Sequence, residues 1–190
     1  TIVAAKCPLM VAPAMDGNMY DHPATQSNLA TLKKRGVVIA GPGTGRLASG
    51  LSGVGRLLET PELLGYISYT IGKDGDLAGR TVVVSAGGTI EPIDPVRVIT
   101  NHSSGKMGYA LAEAARDRGA DVVLVTAPTS LPDPALVNVV QIRTAEQMGE
   151  AIQRHLDKAD ALVMAAAVAD YRPTTAADQK IKKAEDEMNI

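Results

Sequence analysis

The sequence predicts an α/β protein built on a doubly wound, open parallel sheet. Three observations carry that expectation. Apolar, β-branched runs recur at "TVVVSA" (81–86), "VVLVT" (122–126) and "ALVMAA" (161–166), as strands covered on both faces require. Segments with helical periodicity alternate with them. A stretch of some twenty residues, "GGTIEPIDPVRVITNHSSGKMG" (87–108), lies between the first of these strands and the next helix. Such connections usually take about two to six residues, and longer ones tend to be functional. Ligands of such sheets bind at the carboxyl ends of the strands.

Each element has a local reason. "PLMVAPAM" (8–15), an apolar run bounded by prolines, reads as a buried strand. Asp21 before Pro23 reads as a cap and first turn, opening a helix that runs through "ATQSNLATLKKR" and stops at Gly36. "VVIA" (37–40) is the next strand. The glycine-rich stretch 41–56 reads as irregular, a flap over the strand edge. A helix over 60–72 takes Thr60 as cap and Pro61 in its first turn. "KDGDLAGR" (73–80) is polar, contains two glycines and reads as a linker. The strand 81–86 and the long loop follow. Then come a helix at about 105–118, strands 121–126 and 137–142, a helix at about 144–157 and a strand 161–166. In the first of these helices Met107, Ala110, Leu111, Ala114 and Ala115 share one face. In the second, Met148, Ala151, Ile152, His155 and Leu156 do. The first alternating unit has too few strands for a sheet of its own, so the stretch reads as a piece of a longer fold.

Composition narrows the function classes. A formal charge of −2 gives no electrostatic reason to expect nucleic acid or an anionic membrane as partner. The single cysteine, Cys7, cannot form an internal disulfide and suits a reducing compartment. No apolar run reaches membrane-spanning length, so a cytoplasmic protein is expected. His22, His102 and His155 lack metal-ligand spacing, and no metal ligands are assigned.

The chemistry is expected in the loops. Gly87 and Gly88 follow a strand, where the backbone turns and a ligand approaches closely. Ser103, Ser104 and Gly105 open a helix whose positive end suits a phosphate or carboxylate. The stretch is no Walker A loop: Thr100 and Met107 stand where glycine and Ser or Thr belong. No G-x-G-x-x-G run is present, which argues against a dinucleotide-dependent dehydrogenase. Arg97 and Asn101 are isolated polar residues of the loop. Asp170, past the strand 161–166, suits either a helix cap or a ligand contact. Lys180, Lys182 and Lys183 suit either a solvated face or a cover for a polyphosphate. Asp16 and Met19 follow the first strand, again at a carboxyl edge. The residues alone lead to a phosphorylated ligand or nucleotide bound over 87–106, with the reaction open.

Several long motifs add a resemblance. "GGTIEPIDPVRVITNHSSGKMG", "AAAVADYRP" (165–173) and "KIKK" (180–183) resemble the phosphopantothenate–cysteine ligase half of the bifunctional coenzyme A biosynthesis flavoproteins. "APAMDGNMYDHPATQSNL" (12–29) and "GRLASGLSGVGRL" (45–57) resemble the end of their phosphopantothenoylcysteine decarboxylase half. The resemblance implies a Rossmann-like ligase part (81–190) preceded, across the linker 73–80, by the C-terminal portion of a flavodoxin-like decarboxylase domain (1–72). It implies CTP-dependent joining of cysteine to 4′-phosphopantothenate through an acyl-cytidylate, with Mg²⁺ offsetting phosphate charge, and FMN-dependent decarboxylation of the product. It assigns nucleotide and phosphate contacts to Gly87, Gly88, Thr89, Ser103, Ser104, Gly105, Asp170 and Lys180. The acyl group falls to Asn101, Arg97, Ala167 and Asp170, with Asn101 and Lys180 in the chemistry. The flavin and substrate edge of the decarboxylase falls to Asp16 and Met19. Two residues depart from the family pattern: Asp16 replaces the usual Asn, and Ser49 replaces a flap cysteine that donates a proton. The family's catalytic histidine and most flavin contacts would precede this stretch, and much of the CTP base pocket would follow it. A homo-oligomer with small-molecule substrates is implied. The alternative is a non-catalytic flavoprotein-like regulatory or binding subunit.

Overall fold

A computed structural model describes residues 4–182. The chain divides into two compact units between Asp76 and Leu77, with Asp117–Gly119 belonging to the first.

In the first unit, strands β1 (Met10–Val11) and β2 (Val38–Ile39) pair in parallel. The expected strand 8–15 is thus only two residues long. Prolines at 8 and 13 flank it, and a proline nitrogen has no hydrogen to donate to a ladder. Helix α1 (Gly17–Asp21) is capped by Asp16, whose carboxylate accepts from the Asn18 N–H. Helix α2 (Pro23–Lys34) is capped by His22 rather than Asp21: the His22 Nδ1 accepts from Ala24 N. Asp21 is itself the last residue of α1. The stretch 41–56 is also not irregular. It forms an antiparallel hairpin of β3 (Gly43–Arg46) and β4 (Ser52–Arg56). Its glycines serve close approach. A Cβ on Gly55 would lie 2.0 Å from the Met15 carbonyl, and the Met15 N–H donates to Gly55 O at 2.8 Å. Helix α3 (Thr60–Gly72) is capped by Glu59, not Thr60, in a reciprocal box with Glu62. Thr60 and Pro61 are its first two residues.

The second unit holds a four-stranded parallel sheet, β10 (Ala161–Met164), β5 (Thr81–Ala86), β8 (Asp121–Thr126) and β9 (Asn138–Gln141), in that order. This is the doubly wound sheet that the sequence predicts. Alternation along β5 sends Val82, Val84 and Ala86 toward helix α4 (Lys106–Asp117), where they pack with Tyr109, Ala112 and Leu124. Val83 points the other way and packs with Met148, Ala151 and Ile152 of helix α5 (Ala145–Leu156). Fully burying a side chain such as Leu124 contributes about 1.5–3 kcal/mol. At the amino edge the Asp160 carboxylate accepts from Thr81 N and Arg80, which lowers its pKa, the Thr81 bond first.

The face of α4 differs from expectation. Gly108, Tyr109, Ala112, Ala115 and Arg116 are buried, whereas Met107 is 70 % exposed and Leu111 39 %. The closest approach to β5 is at Gly108, where a Cβ would lie 2.5 Å from Ala86 Cβ, and it turns Gly108 and Ala112 inward in place of Met107 and Leu111. On α5, Met148, Ala151 and Ile152 are buried as expected, while His155 is only half-buried and Leu156 is exposed.

Candidate functional site

The connection 87–105 is not one long loop. It contains an antiparallel hairpin, β6 (Ile90–Pro92) with β7 (Val98–Thr100), inserted between the end of β5 and the start of α4. The two ends of the insertion come back together through glycine. Gly87 (φ 78°) and Gly105 (φ 72°) adopt left-handed backbone that disfavours any side chain. A Cβ on Gly105 would lie 2.7 Å from Thr129 Cγ2 and 3.5 Å from Gly87 N. A Cβ on Gly108 would lie 2.5 Å from Ala86 Cβ and 2.8 Å from Ser85 O. Three glycines thus press the amino end of α4 onto the carboxyl end of β5. In space they do what a contiguous G-x-G-x-x-G does in sequence: a turn, a close backbone approach and tight strand–helix packing. The hairpin splits the pattern, leaving only "GKMG" (105–108) as its readable half.

Along this seam several N–H groups meet no protein acceptor among the described residues: Gly87, Gly88, Ser103 and Ser104. Gly87 and Gly88 are buried. Buried N–H groups almost always have partners, so this pair marks where an acceptor from a ligand fits. Ser103 and Ser104 turn their hydroxyls toward the Gly105 and Lys106 N–H groups at 3.4 and 3.5 Å. The result is a cradle of donors at a helix start, suited to an oxyanion.

A second wall is the segment after β10, bound to the first by a series of hydrogen bonds. Ser85 Oγ accepts from Ala165 N and Ala166 N at 3.1 and 3.2 Å. Ala167 N donates to Gly87 O, and Thr89 N donates to Ala167 O. Thr89 Oγ1 accepts from Ala169 N at 2.8 Å, and Asn101 Nδ2 donates to Val168 O at 2.9 Å. This arrangement engages the backbone of two residues expected to contact ligand. Thr89 is fully buried with its N–H and hydroxyl both engaged, so it builds the wall rather than binding an anion. Ala167 has both backbone groups engaged, by Gly87 O and Thr89 N. Asn101 keeps its second side-chain amide hydrogen and its Oδ1 without a protein partner among the described residues. Asp170 is exposed beyond the clamped segment and caps no helix.

Arg97 also departs from expectation. Its guanidinium donates twice to Asp94 Oδ2, at 2.9 and 2.6 Å, and once to Ile181 O at 2.8 Å. The Asp94 carboxylate, 3 % exposed, further accepts from Val96, Arg97 and Ile181 N–H groups. These donors, Arg97 first, hold Asp94 well below the usual carboxylate range. The latch is therefore fully present above that range and is lost only as pH falls through the lowered value. It ties the exposed Lys180 to the hairpin through the neighbouring Ile181. Lys182 is exposed too, and Lys183 lies outside the described residues.

In the first unit, Ser49 Oγ donates to Asp16 Oδ2 at 2.7 Å, and this bond, with that from Asn18, lowers the Asp16 pKa. Both residues line a cavity of about 340 Å³ with Met15, Arg46, Gly55 and Arg56. Met19 is 60 % exposed and does not line it. Ser85, Asp94 and Gly108 had escaped the sequence reading. Only "DPVR" (94–97), an i, i+3 acid–base pair, and the Gly105–Gly108 spacing carried a signal for them.

Fold and site together define a doubly wound α/β unit with a cradle of donors at a split glycine turn, in a chain whose first unit carries a hairpin-lined cavity. Residues 77–190 match the model of the DNA/pantothenate metabolism flavoprotein C-terminal domain, and residues 1–72 match the Flavoprotein model. The chain belongs to the DNA/pantothenate metabolism flavoprotein family. It is 51 % identical over 188 residues to the coenzyme A biosynthesis bifunctional protein CoaBC of Mycobacterium bovis, covering 96 % of this chain and 45 % of that protein. It is 48 % identical over 193 residues to a cysteine/cysteine sulfinic acid decarboxylase of an unknown prokaryotic organism, covering 99 % and 54 %. The crystal structure of the C-terminal domain of a CoaBC protein superposes with a TM-score of 0.51 at 45 % identity, covering 56 % of each chain. The chain spans about half the length of the curated relatives it matches.

Proposed function

We propose that this chain carries the central part of a bifunctional enzyme of coenzyme A biosynthesis. Its second unit would join cysteine to 4′-phosphopantothenate using CTP, and its first unit would decarboxylate the product with FMN. The observation that carries the reading is the pair of buried, unpartnered N–H groups at Gly87 and Gly88 beside a glycine-packed helix start.

In the ligase reaction the acid's carboxylate attacks the CTP α-phosphorus, releasing pyrophosphate. The amine then displaces CMP from the acyl-cytidylate. Both steps develop negative charge, which fixed donors stabilise without reorganising. Gly87, Gly88, Ser103, Ser104 and Gly105 would hold phosphate oxygens. The free amide hydrogen of Asn101 would meet the acyl oxygen, with Ala167 and Asp170 beside it. Lys180, anchored through Ile181 to Asp94 and Arg97, would bring a cation over the reacting phosphate. Among the described residues no group of three or more His, Cys, Asp or Glu side chains could hold a metal. No protein ligand set is therefore assigned to Mg²⁺.

In the first unit the cavity beside Asp16 fits the substrate side of a flavin site, because Gly55 lets the hairpin lie directly on residues 15 and 16. A bound FMN would supply a reversible two-electron oxidation of the substrate thiol, its electrons returning to the product once CO₂ has left. Asp16 and Ser49 would orient the substrate, with Met19 at the edge. A serine hydroxyl is a far weaker acid than a thiol, whose pKa is about 8.5. The final proton would therefore come from water rather than from Ser49. The similarity to a cysteine/cysteine sulfinic acid decarboxylase supports a second reading, in which the decarboxylase substrate is a free amino acid.

The test is an assay of the full-length protein with CTP, phosphopantothenate and cysteine. The expected result is CTP-dependent amide with CMP and pyrophosphate, followed by CO₂ release from that amide. No amide would identify a non-catalytic subunit instead. CO₂ from free cysteine alone would favour the second reading. No helix among the described residues is long and apolar enough to cross a membrane. Small-molecule substrates and a homo-oligomeric assembly complete the proposal.

A further inference from the structure

A cavity of about 580 Å³ opens between β6, the start of α5 and the segment after β10, with walls that include Glu91, Pro92, Thr144, Glu146, Arg172 and Thr174. None of the residues assigned above to phosphate or acyl group lines it. Its size lies within the range of small-molecule sites, about 300–1,000 Å³.

The charges in it are ordered from inside to outside. Glu91 is 4 % exposed, and its Oε1 accepts from Ala145 N at 2.8 Å. Its other oxygen has no donor among the described residues, and because no sealed side-chain oxygen there lacks a partner, it faces the open cavity. At the mouth Arg172 NH1 lies 3.4 Å from Glu146 Oε2, with both side chains about two-thirds exposed. A loose surface pair of this kind contributes little and is readily exchanged for a ligand's carboxylate. The amino end of α5 is not the attraction, because Thr144 and Gln147 already cap it reciprocally. A deep carboxylate and an outer guanidinium match an α-amino acid held by its ammonium group inward and its carboxylate outward.

The cavity also adjoins the acyl site. Glu91 pairs with Ile99 across the hairpin, and Asn101 follows two residues further along the same chain. At strand spacing that is roughly 7 Å. An amine bound near Glu91 would lie within reach of a carbonyl held at Asn101.

We propose that this cavity is the subsite for the amine acceptor, an α-amino acid, with Glu91 receiving the ammonium group and Arg172 the carboxylate. The assignment rests on the ligase reading. It is tested on the full-length protein with CTP and phosphopantothenate, comparing L-cysteine with cysteamine, which has the same amine and thiol but no carboxylate. Wild-type protein is expected to prefer cysteine at least tenfold in kcat/KM. Arg172→Met, at an exposed position, should bring that ratio close to one. Glu91→Gln keeps an oxygen for Ala145 N and should raise KM for both amines about tenfold without raising KM for CTP. A preference that survives Arg172→Met, or a Glu91→Gln KM within twofold of wild type, overturns the subsite while leaving the ligase reading standing. Wild-type protein that forms no amide at all overturns both.

Discussion

Replacing Asn101 by Asp is expected to reduce amide formation in the full-length protein by at least a hundredfold while the fold persists. Asn101 spends one amide hydrogen on Val168 O, and in the proposed reaction the other would meet an acyl oxygen. Aspartate at the same place has no hydrogen to give at neutral pH. It would also set a negative charge against the developing charge of the acyl-cytidylate. Loss of one such donor typically costs a factor of about 10² to 10³ in kcat, and repulsion adds to it. The structural loss is smaller. One hydrogen bond is worth about 1 kcal/mol net, which moves a melting midpoint by a few degrees. Asn101→Ala separates donor loss from repulsion, since it removes both amide hydrogens without adding charge. Both variants should retain a melting transition near that of wild type, with Asp the slower enzyme. Turnover by Asn101→Asp near the wild-type rate would remove Asn101 from the mechanism.

Gly108→Ala has the second large expected effect, and it acts through packing. The new methyl would sit 2.5 Å from Ala86 Cβ and 2.8 Å from Ser85 O, both on β5 and neither able to swing aside. The amino end of α4 must move away from the strand. Overpacking of this kind costs about 1–3 kcal/mol, somewhat offset by the better helix propensity of alanine, about 1 kcal/mol over glycine. The same displacement would open the cradle, because the N–H groups at 103–104 and those of Gly87 and Gly88 belong to the two parts being separated. CTP affinity, measured by titration calorimetry on the full-length protein, should fall at least tenfold, with a lower melting midpoint. Wild-type affinity would mean that close strand–helix contact at Gly108 does not shape the site.

What the sequence disclosed and what it hid follow from different physics. Strands β5 and β8 were legible because burial on both faces leaves long apolar runs, and α4 and α5 by their 3.6-residue period. The outer strands β9 and β10 carry apolar runs too, although the expected burial of β10 on both faces is not met and Met164 is exposed. The caps at His22 and Glu59 were misplaced because several polar residues compete at each helix start and only geometry selects one. The hairpins 43–56 and 90–100 were read as irregular because glycine and proline usually interrupt ladders. Here Gly55 instead admits the Met15 carbonyl, and Pro92 ends its short strand. The stripe on α4 was shifted because hydrophobicity favoured Met107 and Leu111, whereas close approach favoured Gly108 and Ala112.

The site was legible in outline, as a loop at a carboxyl edge with glycines, serines and Asn101. Its support was not. Asp94, Arg97 and Ile181 lie 84 to 87 residues apart along the chain at the far contact, and nothing local announces that bond. Ser85 looked like an ordinary polar residue of a strand end, and the resemblance gave Thr89 a phosphate contact. The fold turns both inward, where their hydroxyls fasten the segment 165–169.

The most direct test is amide hydrogen exchange of the full-length protein with and without CTP, Mg²⁺ and phosphopantothenate. If oxyanions dock on the unpartnered N–H groups at the split glycine turn, exchange at Gly87, Gly88, Ser103 and Ser104 should slow markedly on adding these ligands. Thr89, already bonded to Ala167, should change far less. Exchange at those four positions that is indifferent to the ligands would contradict a phosphate-binding role for this turn.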